Sequence, residues 1–220
     1  MAYQGASLND GANHASRHNS QLLQNQPMIY SPDWLLARFN THLPPPAART
    51  LQNQSGAQRA AVLLPFLQGP QGLELVLTKR AAHLKHHPGQ ISFPGGRIEA
   101  GESSKMAALR EAEEEVGLNP SDVTIVGQLP PQATSTGFVI EPWLGLVHAP
   151  PRWQLQLDEV ADIFHAPLEE LWQEQRWQQW NWQHQGRQYP VHFLHWRQQL
   201  IWGATAAILH RLKQQLGQPG

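Results

Sequence analysis

The apolar positions change their period along the chain, and each change predicts an element. Ala60 to Leu67 and Leu73 to Thr78 are apolar runs separated by Gly69-Pro70-Gln71-Gly72, a spacing that predicts two strands paired around a turn. Val123 to Val126, Phe138 to Val147, Val160 to Phe164 and Tyr189 to Trp196 read as further strands. Ser103 to Val116 has helical composition, Pro167 starts a short helix, and Ala204 to Leu216 reads as a closing helix. Earlier, Ser31-Pro32-Asp33 combines an N-cap, a first-turn proline and an acid near a helix start. A short helix carrying Trp34, Leu35, Leu36 and Phe39 is therefore predicted to end before Pro44-Pro45-Pro46. Strands and helices are interspersed, which agrees with an α/β core without singling out one architecture. Residues 1–27 are rich in Asn, Gln, Ser and His and have few large apolar side chains, so they are expected to be mobile. Residues 28–56 are expected to form the short helix and a linker, and 57–220 one main domain.

The helix predicted at Ser103 to Val116 has two unlike sides. At about 100° per residue, Met106, Leu109, Ala112 and Val116 fall together and are expected to pack on a sheet. Glu111, Glu114 and Glu115 fall on the other side, beside Ser104, Ala107 and Ala108, whose small size reads as a pocket wall. Like charges at i,i+3 and i,i+4 cost roughly 0.2–0.5 kcal/mol per pair. Arg110 is placed to offset Glu114 and Glu113, whereas Glu111 and Glu115 lie one turn apart with no Lys or Arg a turn away. A divalent cation would relieve that repulsion, and oxygen-only ligands favour Mg²⁺ or Mn²⁺. A Glu run alone is more often a solvated acidic face, so the neighbouring residues decide between the two readings.

Composition narrows the chemistry. Sixteen Lys and Arg against 17 Asp and Glu leave a formal net charge of -1, so no global basic field draws the chain to nucleic acid or an anionic membrane. An anionic ligand must be handled locally. The lack of cysteine excludes disulfides, thiolate metal sites and a Cys nucleophile. No secretory signal opens the chain and no apolar stretch approaches the roughly 18 residues that span a bilayer, so a cytoplasmic protein without membrane contact is expected. Neither a Gly-x-Ser-x-Gly elbow nor a Walker loop is present, which argues against acyl-enzyme and P-loop chemistry.

One segment decides the question left open by the acidic run. Gly96, five residues, Glu102, seven residues, Arg110-Glu111-Ala112, one residue, Glu114-Glu115, one residue and Gly117-Leu118 resembles the Nudix box, with Ala112 where a bulky aliphatic is usual. Pro94-Gly95-Gly96 lets the backbone turn tightly and approach an anion, and the following helix N-terminus adds partial positive charge. Gly117 suits a helix C-cap. The resemblance implies a Nudix α/β/α sandwich, a mixed β-sheet between helices. It also implies that Glu111, Glu114 and Glu115 coordinate the metal, that Arg110 orients them, and that Glu102 supports the loop and helix. Upstream, Leu77-Thr78-Lys79-Arg80-Ala81, Lys85, Gly89 and Phe93-Pro94-Gly95-Gly96 is similar to the signature of the coenzyme A pyrophosphatase branch. Lys85 stands where that signature has Arg, and Lys lacks the planar fork that grips phosphate. Trp202-Gly203-Ala204-Thr205-Ala206 also looks like this branch.

The branch implies attack of water, activated by Mg²⁺ or Mn²⁺, on the pyrophosphate linkage of coenzyme A or its derivatives. The expected products are 4'-phosphopantetheine and adenosine 3',5'-bisphosphate, with Arg80, Lys85, Gly95 and Gly96 on the substrate. The alternatives are hydrolysis of another nucleoside diphosphate derivative (ADP-ribose, NADH, a dinucleotide) or a nucleoside triphosphate, and a non-catalytic Nudix binding module. Intact carboxylates speak against the last, and the absence of a basic track speaks against capped RNA. The expected partner is a small-molecule nucleotide, not nucleic acid.

Other features carry weaker readings. His83, His86 and His87 more often shape a substrate loop than a zinc site when no cysteine is at hand. Arg80, Lys85 and His86 could meet an extra nucleotide phosphate, and Glu159, just before an apolar run, could add a ligand or general base. Several of the nine Trp lie in the last third (Trp172, Trp177, Trp180, Trp182, Trp196, Trp202). Such aromatics more often fill a core or subunit interface than stack on a base, which leaves a homodimer open. The same holds for Phe138 and Trp143.

Overall fold

The computed structural model describes residues 30–42, 57–149, 151–184 and 187–217. The mobility expected of residues 1–27 and the linker expected up to residue 56 lie outside the described residues, apart from the short helix. That helix, α1 (Pro32–Thr41), is capped by the Ser31 side chain, which accepts from the Trp34 N–H.

The paired runs form β1 (Gln58–Gly69) and β2 (Gly72–Arg80), antiparallel around the Gly69–Gly72 turn. β1 also runs parallel to β7 (Phe138–Val147), which pairs antiparallel with β5 (Val123–Gln128). β8 (Val160–Pro167) covers the other edge of β2, so the sheet is mixed. Period-two alternation sends Ala61, Leu63 and Leu67 of β1 to one face and Leu64 and Phe66 to the other. The first face packs on α2 (Ser104–Val116). The second packs on α1 and the closing helix α4 (Gly203–Leu216), through Leu35, Ile208, Leu209 and Leu212. A mixed sheet between helices is the expected architecture.

Between β1 and β2 the sheet opens. Only the far end of β1 pairs with β2, at Phe66 to Gly69, whereas its beginning pairs with β4 (Gly95–Arg97). The end of β2 pairs instead with β3 (Ile91–Ser92). The segment Ile91 to Arg97 thus fills the cleft between two diverging strands, and the Leu63 N–H donates to the Pro94 carbonyl at 3.0 Å to hold it there. Gly95 is required at this point: its φ is 156°, and a Cβ would strike the Ala61 carbonyl and Val62 Cα.

The packing face of α2 is the expected one at Ala112 and Val116 and differs from it at Met106, Ala107 and Ala108. Met106 is 59% exposed, while Ala107, Ala108, Ala112 and Val116 are fully buried against the sheet, with Leu109 only partly buried beside them. Ala107 and Ala108 are therefore not an open pocket wall. Their small side chains let the helix backbone lie close to the sheet, and a long residue such as Met106 is displaced to the solvent side.

A second element was not anticipated. β9 (Trp177–His184), β10 (Arg187–Trp196) and β11 (Gln199–Trp202) form a separate antiparallel sheet, of which only β10 has an evident strand pattern. In β9 the alternating Trp180 and Trp182 face solvent and Gln fills much of the rest, so no apolar core face marks it. Leu194, Trp196 and Ile201 anchor the sheet on the core beside α3 (Leu168–Leu171), which follows Pro167. Among the described residues no helix is long and apolar enough to cross a membrane.

Candidate active site

Four chain segments converge where the sheet opens. The last turn of α2 ends on Gly117, in left-handed conformation with φ 71°, whose N–H donates to the Glu113 carbonyl at 2.9 Å. The segment after Trp153 docks on this helix end: the Gln154 and Gln156 N–H groups donate to the Val116 and Glu115 carbonyls at 3.0 and 2.9 Å. The Ala81 N–H then donates to the Glu159 carbonyl at 2.8 Å, which ties that segment to the end of β2, where Arg80 stands. These bonds bring Glu159 and Arg80 to the Glu111 and Glu115 side of α2, where the charges of both act on Glu115.

Glu115 is buried, with 5% of its surface exposed, and its Oε2 accepts from the Gly95 N–H at 3.2 Å. Burial above all, with the neighbouring Glu111 and Glu159, pushes its carboxyl up to about 8 against the opposing pull of the Gly95 hydrogen bond and Arg80. Among the described residues it makes no ion pair. The Glu111 carboxylate lies directly against Gly96, so a Cβ there would land on it. Burial raises the Glu111 carboxyl too, opposed by Arg110 and reinforced by Glu114 and Glu159. Two half-buried to buried carboxylates thus share one corner with a glycine turn, and both resist carrying charge unaided.

Arg110 joins the other acids. Its guanidinium meets Glu102 at 3.0 Å, Glu111 at 3.1 Å and Glu114 at 2.9 Å, and donates to the Arg97 carbonyl at 3.2 Å. The hydrogen bond to Glu102 raises the arginine and lowers that carboxyl. Its partner beside Glu114 is Glu111 rather than the expected Glu113, because the side chain folds back toward Arg97. Glu111 therefore does have a cation in contact, whereas Glu115 makes no ion pair among the described residues and meets Arg80 only through its charge. Glu114 is largely exposed and turned to Arg110.

Among the described residues no three His, Asp or Glu side chains form a ready metal cage. Arg80 is half-buried, its Nε is buried without a hydrogen-bond partner among the described residues, and its charge acts on Glu115. Lys85, His83, His86 and His87 are exposed on the loop between β2 and β3. Trp143 is occupied elsewhere, its Nε1–H donating to Ser104 at 3.1 Å. A cavity of about 380 Å³ between β9, β10 and α4, with His192, His210 and Lys213 in its lining, is apart from all of these residues.

A mixed sheet between helices thus sets two carboxylates against a glycine turn, an arrangement suited to a divalent cation beside an anionic group. The NUDIX domain model matches residues 57–185. A protein of Photorhabdus laumondii named as an uncharacterised Nudix hydrolase, NudL, is 42% identical over 81% of this chain and 94% of its own length. A namesake from Pectobacterium atrosepticum is 37% identical over 86% and 97%. The solved Nudix hydrolase RenU from M. smegmatis covers 52% of this chain and 73% of its own, with 22% identity and a TM-score of 0.46. The chain belongs to the Nudix hydrolases, which cleave acid anhydrides.

Proposed function

We propose that this Nudix enzyme hydrolyses the diphosphate bridge of coenzyme A or its derivatives. The observation that carries the reading is the meeting of Glu111 and Glu115 with the Gly95–Gly96 turn, upstream of which runs the Arg80 and Lys85 segment. Glu111 and Glu115 would hold Mg²⁺ or Mn²⁺, with Glu114 joining them on release from Arg110. Their raised carboxyls, and the lack of an ion pair at Glu115 among the described residues, fit a cation of that class. When bound, such an ion supplies charge neutralisation at the phosphates and lowers the cost of ionising water. Arg110 positions Glu111, Gly95 and Gly96 leave room for the phosphate to approach the backbone, and Glu159 is available to accept a proton from the attacking water. A screen of coenzyme A, ADP-ribose, NADH and capped RNA with each metal tests the reading. Fastest turnover is expected with coenzyme A, giving 4'-phosphopantetheine and adenosine 3',5'-bisphosphate. A wide preference for ADP-ribose would overturn the coenzyme A assignment and leave the Nudix chemistry.

The two cations divide by position. Lys85 is exposed and free to read the 3'-phosphate of coenzyme A, whereas Arg80 acts on the Glu115 corner, where the diphosphate would lie. Lys85→Ala is expected to lower kcat/KM for coenzyme A about tenfold or more while leaving dephospho-coenzyme A nearly unchanged, as for loss of a charge-assisted hydrogen bond worth roughly 1.5–3 kcal/mol. Arg80→Ala should impair both. Equal losses in Lys85→Ala would remove that residue from 3'-phosphate recognition.

Metal binding should also be visible in stability. The Glu115 carboxyl is raised from 4.5 to about 8, so below pH 8 a cation must displace its proton. Metal affinity is then expected to climb from pH 6 to about 8. At a hundredfold excess over Kd the fold gains about 2.7 kcal/mol, which is several degrees in Tm for a chain this size. A Tm indifferent to Mg²⁺ and Mn²⁺ at pH 8 would sink the divalent site.

A further inference from the structure

The segment from Gly89 to Arg97 leads from the end of β2 to the glycine turn, and its backbone bonds show what holds it. The Gly89 N–H donates to the Arg80 carbonyl at 3.1 Å and the Arg80 N–H donates to the Gln90 carbonyl at 3.0 Å. Successive carbonyls of a strand point to opposite edges, so with Gln90 turned toward β2 the Ile91 carbonyl is turned away from it. β3 is the last strand on that side of the sheet, and no strand meets this acceptor. The hydroxyl of Thr205 meets it instead, donating at 3.0 Å from 114 positions further along the chain. Both residues are buried, and a buried carbonyl without a donor is costly, so the bond is a firm one.

The donor stands on a rigid support. Gly203, in left-handed conformation with φ 66°, turns the chain from β11 into α4 and sets Thr205 in the first turn of that helix. Ala206, Ile208 and Leu209 then fix the helix in the core. A helix threonine commonly returns its hydroxyl to a carbonyl one turn back, whereas this one gives it to a distant strand. We infer that Thr205 is a positioning residue of the active site, its hydroxyl fixing the point from which the chain runs back to Arg80 and forward to the glycine turn. The inference rests on the Gly95–Gly96 turn being where the diphosphate approaches. Forward of Ile91, the Pro94 carbonyl accepts from the Leu63 N–H and the Gly95 N–H donates to Glu115 at 3.2 Å. On the β2 side the Thr78 hydroxyl meets that of Ser92 at 3.1 Å, so one threonine holds each edge of β3. Without Thr205 only the β2 edge remains held, and the turn loses its fixed register with Arg80 and Glu115. A shift of about 1 Å at such a point is enough to cost on the order of a hundredfold in rate.

Thr205→Val keeps the shape of the side chain and removes the donor, and Thr205→Ser keeps the donor and removes the methyl. Amide hydrogen exchange of the full metal-free chain, followed residue by residue by NMR, reads the positioning without any turnover. In Thr205→Val the amides of Leu63, Arg80 and Gly95 are expected to exchange at least about tenfold faster while those within α2 and β7 keep their wild-type rates, the pattern of a local opening. On the nucleoside diphosphate derivative that the wild type cleaves fastest, kcat/KM of the same variant is expected to fall about tenfold or more. That choice of substrate keeps the test independent of the coenzyme A assignment. Thr205→Ser should bring both readouts back near wild type. Thr205→Ala removes the same donor, with the same two results expected, should the valine variant fold poorly. Wild-type exchange at the three amides, or wild-type turnover, in a folded variant without the hydroxyl overturns the inference. So does faster exchange that spreads equally through α2 and β7, or a serine variant as impaired as the valine one, either of which makes Thr205 a general stabiliser of the fold.

Discussion

Glu115→Gln is expected to lower turnover at least about a hundredfold, the scale of losing one preorganised electrostatic partner of the reaction. The substitution keeps the shape of the side chain and a carbonyl oxygen to accept the Gly95 N–H, which the native carboxylate accepts at 3.2 Å. What it removes is the anion. In the metal-free protein this anion works against the fold: a carboxyl raised from 4.5 to about 8 is held protonated in the folded chain while the unfolded chain has already released its proton. The stability tied to the protonated group is complete below pH 4.5 and is lost as pH climbs toward 8, at a limit of about 1.4 kcal/mol per pH unit. The Gln variant carries no such loss, so its metal-free stability should exceed that of the wild type by a margin that widens from pH 5 to pH 8. Urea denaturation at the two pH values measures the margin, and turnover at saturating metal measures the loss of chemistry. Near-normal turnover would remove Glu115 from the reaction, and a variant less stable than wild type at pH 8 would make its role structural.

The two measurements separate function from folding because the residue serves one at the expense of the other. The same division governs how much was legible in the sequence. Box residues from Gly96 to Leu118 lie on one continuous turn and helix, so their spacing alone puts Glu111 and Glu115 a turn apart. Glu159 comes from a segment more than forty positions downstream of Glu115, and only the docking of Gln154 and Gln156 on the helix end brings it there. An isolated acid before an apolar run carries no such information. The packing face of α2 was misread in part for a related reason. A periodic pattern ranks residues by apolar character, which favours Met106, whereas the sheet accepts the side that approaches most closely, which brings in Ala107 and Ala108 beside Ala112. The main strands were legible because β1, β2 and β7 bury long apolar runs. β9 was not, because its large residues are on the solvent side.

Arg110→Lys is expected to lower activity about tenfold to a hundredfold, the usual range for residues that orient metal-binding side chains. The native guanidinium reaches Glu102 through Nε, Glu114 through Nη1, and both Glu111 and the Arg97 carbonyl through Nη2. It therefore links the β4 turn, the loop before α2 and two acids of the helix at once. An ammonium keeps the charge but concentrates its donors at one point on a flexible stem, so it can serve only part of this set. Glu111 would then lean away from its place against Gly96, and two carboxylates with raised proton affinity would be less well matched to one cation. The loss should appear first as a higher metal concentration for half-maximal activity, with partial recovery of kcat at saturating Mn²⁺. A residue that merely stabilised the helix would behave differently: Tm would fall, while the metal requirement of the folded enzyme stayed where it was. Arg110→Ala, which leaves Glu102, Glu111 and Glu114 without their shared cation, should extend the shift in metal requirement in the same direction. A normal metal titration in both variants would show that Arg110 does not position the carboxylates.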